Sequence, residues 1–475
     1  MATFSNLSND ILLMVMDIYW PLNVDAYRQM CKNTRALTAS YLEKHMRLKR
    51  RYSHGKYSTI TGFGPNGTPV DLLRDILHNP EVAPYLNSLC IVLADDGEAF
   101  RPTGTEFNMS KKSVDFFGDA VRNWPMITDN DLKESLLKGF SEGTEEAVIT
   151  LLLLMLPNLI KLRLGGRRAP EVLDQILNSI GTSQDKAALT QLNTIELDSI
   201  RLPSHLQSNQ MFTSVSSLPS MRRISAVDVR AYGTEVFDYF QELKYVAKSP
   251  LTHLQLANCD IWPDVLSKLV KSTDTLTSFS YCTKGREPDS KWILALLLSQ
   301  AGNTLRELTI FSCDNAYIGS LIEFKALEKV STSIQLLQVS SIPDWNQILP
   351  STLKSLKLHD DGGVDYELLY YSKLMDALLA IKDREIPELE ELHYRLSKTE
   401  MPSEQNRDTL GARFARQCAE AGIQLCVDWV SVCDTARDNR VVAEVLKGSG
   451  IEKATSQNLP PRRSRSFIRQ LLGPD

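Results

Sequence analysis

At 475 residues, with 43% hydrophobic and 23% charged side chains, the chain has the balance of a folded globular protein. Its formal net charge of −5 is small for this length and gives no electrostatic case for a nucleic-acid or acidic-membrane partner. Length alone suggests about three domains, unless a repeat architecture uses the whole chain as one unit.

The first predicted elements are short helices. Ser8 suits an N-cap, and Asp10 falls in the first turn, where the helix dipole favours negative charge. Leu7 and Leu12 then take the hydrophobic-staple spacing, and Ile11, Leu12, Val15, Ile18 and Tyr19 recur at helical intervals. Trp20-Pro21 ends that helix, because proline disfavours helical geometry in the residue before it. A second helix from Asn23 places Val24, Tyr27, Met30 and Cys31 on one side, and a third, capped by Thr34, turns Leu37, Tyr41 and Leu42 inward. A module of about 45 residues buries too little surface to stand alone without metal or disulfides. This one has a single cysteine and no metal-ligand cluster, so it must pack on something else.

Residues 5–50 resemble an F-box. Family members typically begin Leu-Pro-x-Glu-Ile-Leu, where this chain has Leu7-Ser8-Asn9-Asp10-Ile11-Leu12. The family's later Leu-Arg-Gln-x-Cys-Lys and Arg-x-Leu correspond to Tyr27-Arg28-Gln29-Met30-Cys31-Lys32 and Arg35-Ala36-Leu37. Ser8 replaces the usual proline, which lies in the adaptor contact, and Asp10 replaces the usual glutamate. The rival reading is an amphipathic helix cap on a larger domain.

The basic run Lys44–Arg51 reads as the solvated end of the third helix and the start of a strand, with a nuclear or nucleic-acid signal as the alternative. Val70–Leu93 reads as a helix, an Asn-Pro turn and a strand carrying Leu86, Leu89 and Ile91. Asp95–Ser110 reads as an inserted surface loop, so 51–150 is taken as linker, first repeat and loop.

From about residue 150 to 430 a leucine-x-x-leucine-x-leucine pattern recurs. Clear copies are Leu159–Leu164, Leu251/Leu254/Leu256, Leu305/Leu308/Ile310 and Leu353/Leu356/Leu358, with Leu389/Leu392/Tyr394 closing the series. Between Ile310 and Leu353 two registers compete. Leu327/Val330/Thr332, with steps of 22 and 26 residues, is preferred over Ile334/Leu337/Val339, with steps of 29 and 19. Helically spaced apolar residues lie between copies at Glu171–Ile180, Glu235–Ala247, Val265–Lys271, Lys291–Gln300 and Leu368–Ile381. One strand plus one helix per unit predicts an α/β fold, a curved leucine-rich-repeat solenoid of about eight to eleven units stacked on their neighbours. Cys259 and Cys313 stand where such repeats place a small buried donor. With the opening module, the chain resembles fungal F-box proteins with leucine-rich repeats. Residues 431–475 lose the repeat and end in a basic, proline-containing tail expected to be mobile.

The chemistry expected is sparse. Gly62-Phe63-Gly64-Pro65-Asn66-Gly67 matches GxGxxG formally, but Thr68-Pro69 marks the helix start after the last glycine, and Pro65 removes a backbone donor. A glycine-rich linker is the reading preferred over a cofactor site, and no cofactor is expected. The seven histidines form no HxxxH or HExxH motif and no Cys/His cluster, and no serine sits in a GxSxG elbow. No enzyme is expected. Eight cysteines without CxxC pairs suit a reducing compartment. The longest apolar run, Ala147–Leu156, is about half a membrane span, and Ile11–Met16 lacks the basic leader of a signal peptide. A cytoplasmic or nuclear protein, or one in both places, is expected.

In a strand written LxxLxL the leucines face the core and the intervening residues face the other way. The concave face is therefore expected to present Lys161, Arg163, Glu196, Arg223, His253, Gln255, Glu307, Thr309, Phe311, Lys357, His359, Glu391, His393 and Arg395 to a target protein. Phe311 stands out among them as an exposed aromatic of the hot-spot type. The resemblance implies that Leu7, Ser8, Ile11, Leu12, Val15, Ile18, Tyr27 and Leu37 meet a Skp-type adaptor and, through it, a cullin–RING ubiquitin ligase. Ile11, Leu12 and Val15 are then expected to stay partly exposed in the isolated chain. The other classes considered are a repeat scaffold whose degenerate F-box recruits no ligase, and an enzyme within 51–150 resting on the glycine match alone.

Overall fold

The computed structural model describes residues 8, 11, 14, 39–58, 66–93, 110–124, 127, 130–166, 189–198, 215–216, 218–227, 229–231, 248–261, 263–282, 290–311, 317–337, 343–360, 368–398 and 404–431. The expected second helix, the helices at 171–180 and 235–247, Cys313 and the 431–475 tail lie outside these residues, apart from Ser431 itself.

Helix α1 (Ala39–Tyr52) is the later part of the expected third helix. Lys49, Arg50 and Arg51 fill its last turn, where the dipole favours positive charge. The basic run Lys44–Arg51 is thus helix end, followed directly by strand β1 (His54–Ser58). Helix α2 (Pro69–His78) opens on a complete capping box. The Asp71 N–H donates to Thr68 Oγ1 at 3.2 Å, and the Thr68 N–H donates back to Asp71 Oδ2 at 3.1 Å. The glycines at 62–67 therefore precede the helix cap, as the linker reading requires. Tyr52 Oη donates to Asp75 Oδ2 at 3.1 Å and ties α1 to α2.

Among the described residues twelve strands form one parallel sheet, and their order in space is their order along the chain. After β1 come β2 (Ser88–Val92), β3 (Lys161–Gly165), β4 (Thr194–Asp198) and β5 (Arg223–Val227). Then follow β7 (His253–Ala257), β9 (Ser278–Cys282), β10 (Glu307–Phe311), β11 (Lys329–Ser333), β12 (Ser355–His359), β13 (Glu391–Lys398) and β14 (Gln424–Ser431). The two-residue strands β6 (Arg230–Ala231) and β8 (Asp260–Ile261) pair in a separate small sheet. Strand β11 takes the preferred register, with Val330 and Thr332 buried and Glu307 opposite Lys329.

Helices lie between strands as the repeat predicts: α6 (Pro263–Lys271), α7 (Ser290–Ala301), α8 (Leu368–Ile381) and α9 (Glu404–Glu420). The fold is α/β, a parallel sheet alternating with helices in a solenoid-like stack. The sheet begins at His54, within the stretch expected to hold the linker and the first repeat. Within 51–150 the helix and strand expected over Val70–Leu93 are α2 and β2. The segment also carries β1 and three further helices, α3 (Lys111–Asn123), α4 (Asn130–Glu142) and α5 (Glu145–Leu154). Helix α5 is apolar nearly all round because it packs against both α2 and α4, and seven of its residues are buried.

The second and fourth residues of each strand, such as Leu162 and Leu164 or Leu356 and Leu358, enter one continuous core with the helices. Strand β1 escaped the leucine pattern because Gly55 and Tyr57 hold those two places. A Cβ on Gly55 would lie 2.5 Å from the Tyr57 ring, which occupies the missing side chain's volume.

Two hydrogen-bond ladders join successive units. From β2 to β12 the carbonyl before each strand of the large sheet accepts two N–H groups from the next unit, as Thr252 O does from Thr277 and Ser278, and Glu328 O from Lys354 and Ser355. A hydroxyl just before the first leucine of a unit donates to the first leucine's carbonyl in the unit before. Ser220 reaches Leu192 O (2.7 Å), Thr275 Leu251 O (3.2 Å), Thr304 Leu276 O (2.9 Å) and Thr352 Leu327 O (2.8 Å). Cys259 is buried as expected, with its Sγ 3.3 Å from Ala226 O and 3.4 Å from Ala257 O.

Candidate functional site

Two surfaces bear on function. The first is the N-terminal helix. The Ile11 N–H donates to Ser8 Oγ at 3.4 Å, which is the N-cap bond expected of Ser8. Ile11 and Met14 are helical and stand 47% and 65% exposed, three residues apart and so on one side of that helix. Leu7, Leu12, Val15, Ile18, Tyr27 and Leu37 lie outside the described residues.

The second surface is the sheet face turned away from the core, made by the first, third and fifth residue of each strand. All fourteen predicted recognition residues stand on it, because the strand alternation is as expected. Their environments are unequal.

On β3 and β4 the charges close on each other. Lys161 Nζ lies 2.6 Å from Glu196 Oε1, and Arg163 Nη2 lies 2.5 Å from Asp198 Oδ2. Burial opposes the charge of Arg163, but the Asp198 hydrogen bond and charge outweigh it and raise its pKa. Glu196 is only 3% exposed and is spent on Lys161; it is not presented to a partner. In the middle of the sheet, Ser225 Oγ donates to Gln255 Oε1 at 3.3 Å, and Lys329 Nζ donates to Glu307 Oε1 at 2.9 Å. Burial works to raise the Glu307 pKa, but the hydrogen bond and charge of Lys329, with Ser278 and His253, bring it down. Burial and neighbouring Arg223 lower the pKa of His253, against a smaller opposite pull from Glu307. Thr309 is half-buried and Glu391 is exposed.

Phe311 corrects the hot-spot expectation, since it is 5% exposed. Its ring crosses the small Ser333 on β11 and meets the His359 ring edge-on, with centroids 4.7 Å apart. It also belongs to a second apolar cluster with Val227, Ala257 and Cys282, which share its row on neighbouring strands. His359 is itself buried. Burial, reinforced by Arg395, Lys357 and His393, lowers its pKa to about 3, so the ring is neutral at physiological pH. Lys357, His393 and Arg395 are half-buried around it. Lys329, Ser331 and Ser333 belong to the same face but were absent from the expected set. Choosing the β11 register fixes them at once.

Among the described residues no group of histidine, cysteine, aspartate and glutamate is placed to hold a metal ion. No helix among them is long and apolar enough to cross a membrane. The fold and this face define a class, an α/β solenoid-like repeat with one polar, structured sheet surface. No protein-family model matches the chain, and no curated protein matches it.

Proposed function

We propose that the chain is the substrate-recognition subunit of a Skp–cullin–F-box type ubiquitin ligase. In this reading the twelve-stranded sheet and its helices are a leucine-rich-repeat solenoid, and residues 5–50 are its F-box. Ile11 belongs to the surface that meets a Skp-type adaptor, Ser8 caps that surface's helix, and the polar sheet face holds a target protein. The chain contributes proximity, raising the effective concentration of target and ubiquitin-loaded enzyme, and needs no catalytic residue.

The observation that carries this reading is the pair of large apolar side chains, Ile11 and Met14, left in water at the start of a helix. Exposed apolar groups arranged on one helix side are the kind of surface a partner helix covers. Ser8, standing where the family has proline, favours the second reading, a repeat scaffold that recruits no ligase.

Affinity capture of the full chain with a Skp-type adaptor and cullin separates the two. The adaptor is expected in the wild-type capture and is expected to fall by about tenfold or more with Ile11→Asp, which forces a carboxylate into the apolar contact. An adaptor absent from the wild-type capture sinks the ligase reading and leaves the scaffold.

A further inference from the structure

Lys161, Arg163 and Lys329 on the sheet face are each closed on a carboxylate of an adjacent strand, Glu196, Asp198 and Glu307 in turn. Arg223 on β5 and Lys357 on β12 are not. Among the described residues neither side chain makes an ion pair or a hydrogen bond, and both are half-buried. Thr194 and His253 flank Arg223 in its row, while Glu196, one strand back and one row along, is held by Lys161. Ser331 and His393 flank Lys357, and Glu391 stands one row away, opposite Ser355, and acts on Lys329.

The stretch between the two cations is neutral. Gln255, Ser280, Thr309 and Ser331 succeed one another in the row that reaches Lys357, one on each strand from β7 to β11. Each carries a hydrogen-bonding group and none a charge. The Glu307–Lys329 pair beside this row is closed and adds no net charge. Five strand steps separate β5 from β12, about 24 Å at about 4.8 Å each. An extended chain covers that distance in about seven residues.

We propose that this strip, from Arg223 to Lys357, receives an extended acidic segment of a partner protein, in which two carboxylates about seven residues apart close on the two cations.

The chemistry of the strip selects that occupant. A half-buried cation has lost part of its water, so a carboxylate gains more there than at a fully exposed one. The Arg223 guanidinium offers the paired N–H donors that a carboxylate's two oxygens accept. Each anchor stands alone with a single charge, which one carboxylate neutralises. The hydroxyl and amide groups between the anchors suit the peptide groups of an extended backbone. Lys56 on β1 also makes no ion pair, but the closed pairs of β3 and β4 lie between it and Arg223.

The inference rests on the reading of this face as the recognition surface, and its test is independent of the adaptor. The full chain is immobilised and offered degenerate peptide libraries of about twelve residues. One carries aspartate at two positions seven apart, a second asparagine at the same positions, and a third aspartate at two adjacent positions. The spaced aspartate library is expected to be retained at least about tenfold over asparagine, with retention falling as salt rises. Arg223→Gln and Lys357→Gln are each expected to lower that preference about threefold, as is moving the aspartates together. Lys56→Gln is expected to change it by less than about twofold. Equal retention of the spaced aspartate and asparagine libraries overturns the proposal, as does a preference undiminished in both anchor variants. Equal retention of the spaced and adjacent aspartates overturns the two-anchor geometry, and a loss with Lys56→Gln as large as with the anchors overturns the assignment to this strip. In the wild-type protein the His253 ring-proton resonance, beside Arg223, should move with spaced aspartate at a concentration where asparagine leaves it in place. No movement also overturns the proposal, and this readout needs no variant to fold. Failure here with adaptor capture intact removes this inference alone, and adaptor loss with the aspartate preference intact removes only the ligase reading.

Discussion

Strands β3–β4 and strands β12–β13 present the same kind of sequence, alternating leucines with charged residues between them, yet they make opposite surfaces. In the first, Lys161 and Arg163 face Glu196 and Asp198 across one strand gap and form short, partly buried ion pairs. In the second, Lys357 and the neutral His359 face His393 and Arg395, and a carboxylate enters the row only one strand later, at Asp428 of β14. What differs is the residue one strand over, which neither strand's own sequence specifies. The comparison teaches that charge on a repeat face is a property of the register between units. A cation whose carboxylate lies on the adjacent strand ties two units together, so the residue one strand over decides what a charged face does.

The largest test of this contrast is Arg163→Ala. It strips the guanidinium from Asp198 in a setting where both side chains are mostly buried, at 13% and 27% exposure. The expected cost is about 3 kcal/mol, seen as a lower urea midpoint. A cost near zero would mean that the β3–β4 pair is as idle as a surface one.

The second test uses pH. The folded-state pKa of His359 lies near 3, below the ordinary value of 6.5, so the unfolded chain takes up this proton first as pH falls. The stability tied to the neutral ring is complete above about pH 6.5 and declines steadily down to about pH 3. Between pH 7.5 and 5 the loss from this residue is about 2 kcal/mol. His359→Gln should flatten that part of the stability profile, measured by denaturant unfolding at each pH. If the slope survives the substitution, the ring is not held neutral by burial and its cationic neighbours.

The smallest expected effect is informative because of its size. Lys357→Gln removes a cation that stands among cations, so stability should change by less than about 0.5 kcal/mol. A slightly raised melting temperature is the direction expected from relieved repulsion. A loss comparable to that of Arg163→Ala would erase the distinction between the two regions.

Much of the stack was legible from leucine spacing, including the β11 register and the helices α6, α7 and α8. The failures have physical causes. Strand β1 carries Gly55 and Tyr57 where leucines are expected, so its pattern is invisible until the ring is seen filling the glycine's space. Helices α3, α4 and α5 form a local packing unit whose apolar residues do not follow the repeat. The hydroxyl ladder was present as Ser220-Met221, Thr275-Leu276, Thr304-Leu305 and Thr352-Leu353, a signal sharper than the leucines alone. On the sheet face, alternation told which residues point outward but not which are covered. Phe311 is buried because Ser333, on another strand, is small enough for its ring to cross. That depends on a neighbour brought close only by folding.

Strand order that equals chain order has a mechanical consequence. Each strand is bonded only to the units just before and just after it, and no backbone hydrogen bond between strands of the sheet skips a unit among the described residues. Tension applied between the two ends of such a stack is borne one interface at a time, so rupture starts at a terminal unit and proceeds by peeling. The hydroxyl rungs at Thr275, Thr304 and Thr352 act as successive catches along that path. Pulled by its ends, the protein should lengthen in a series of small steps, each close to the contour of a single unit, in place of one abrupt release.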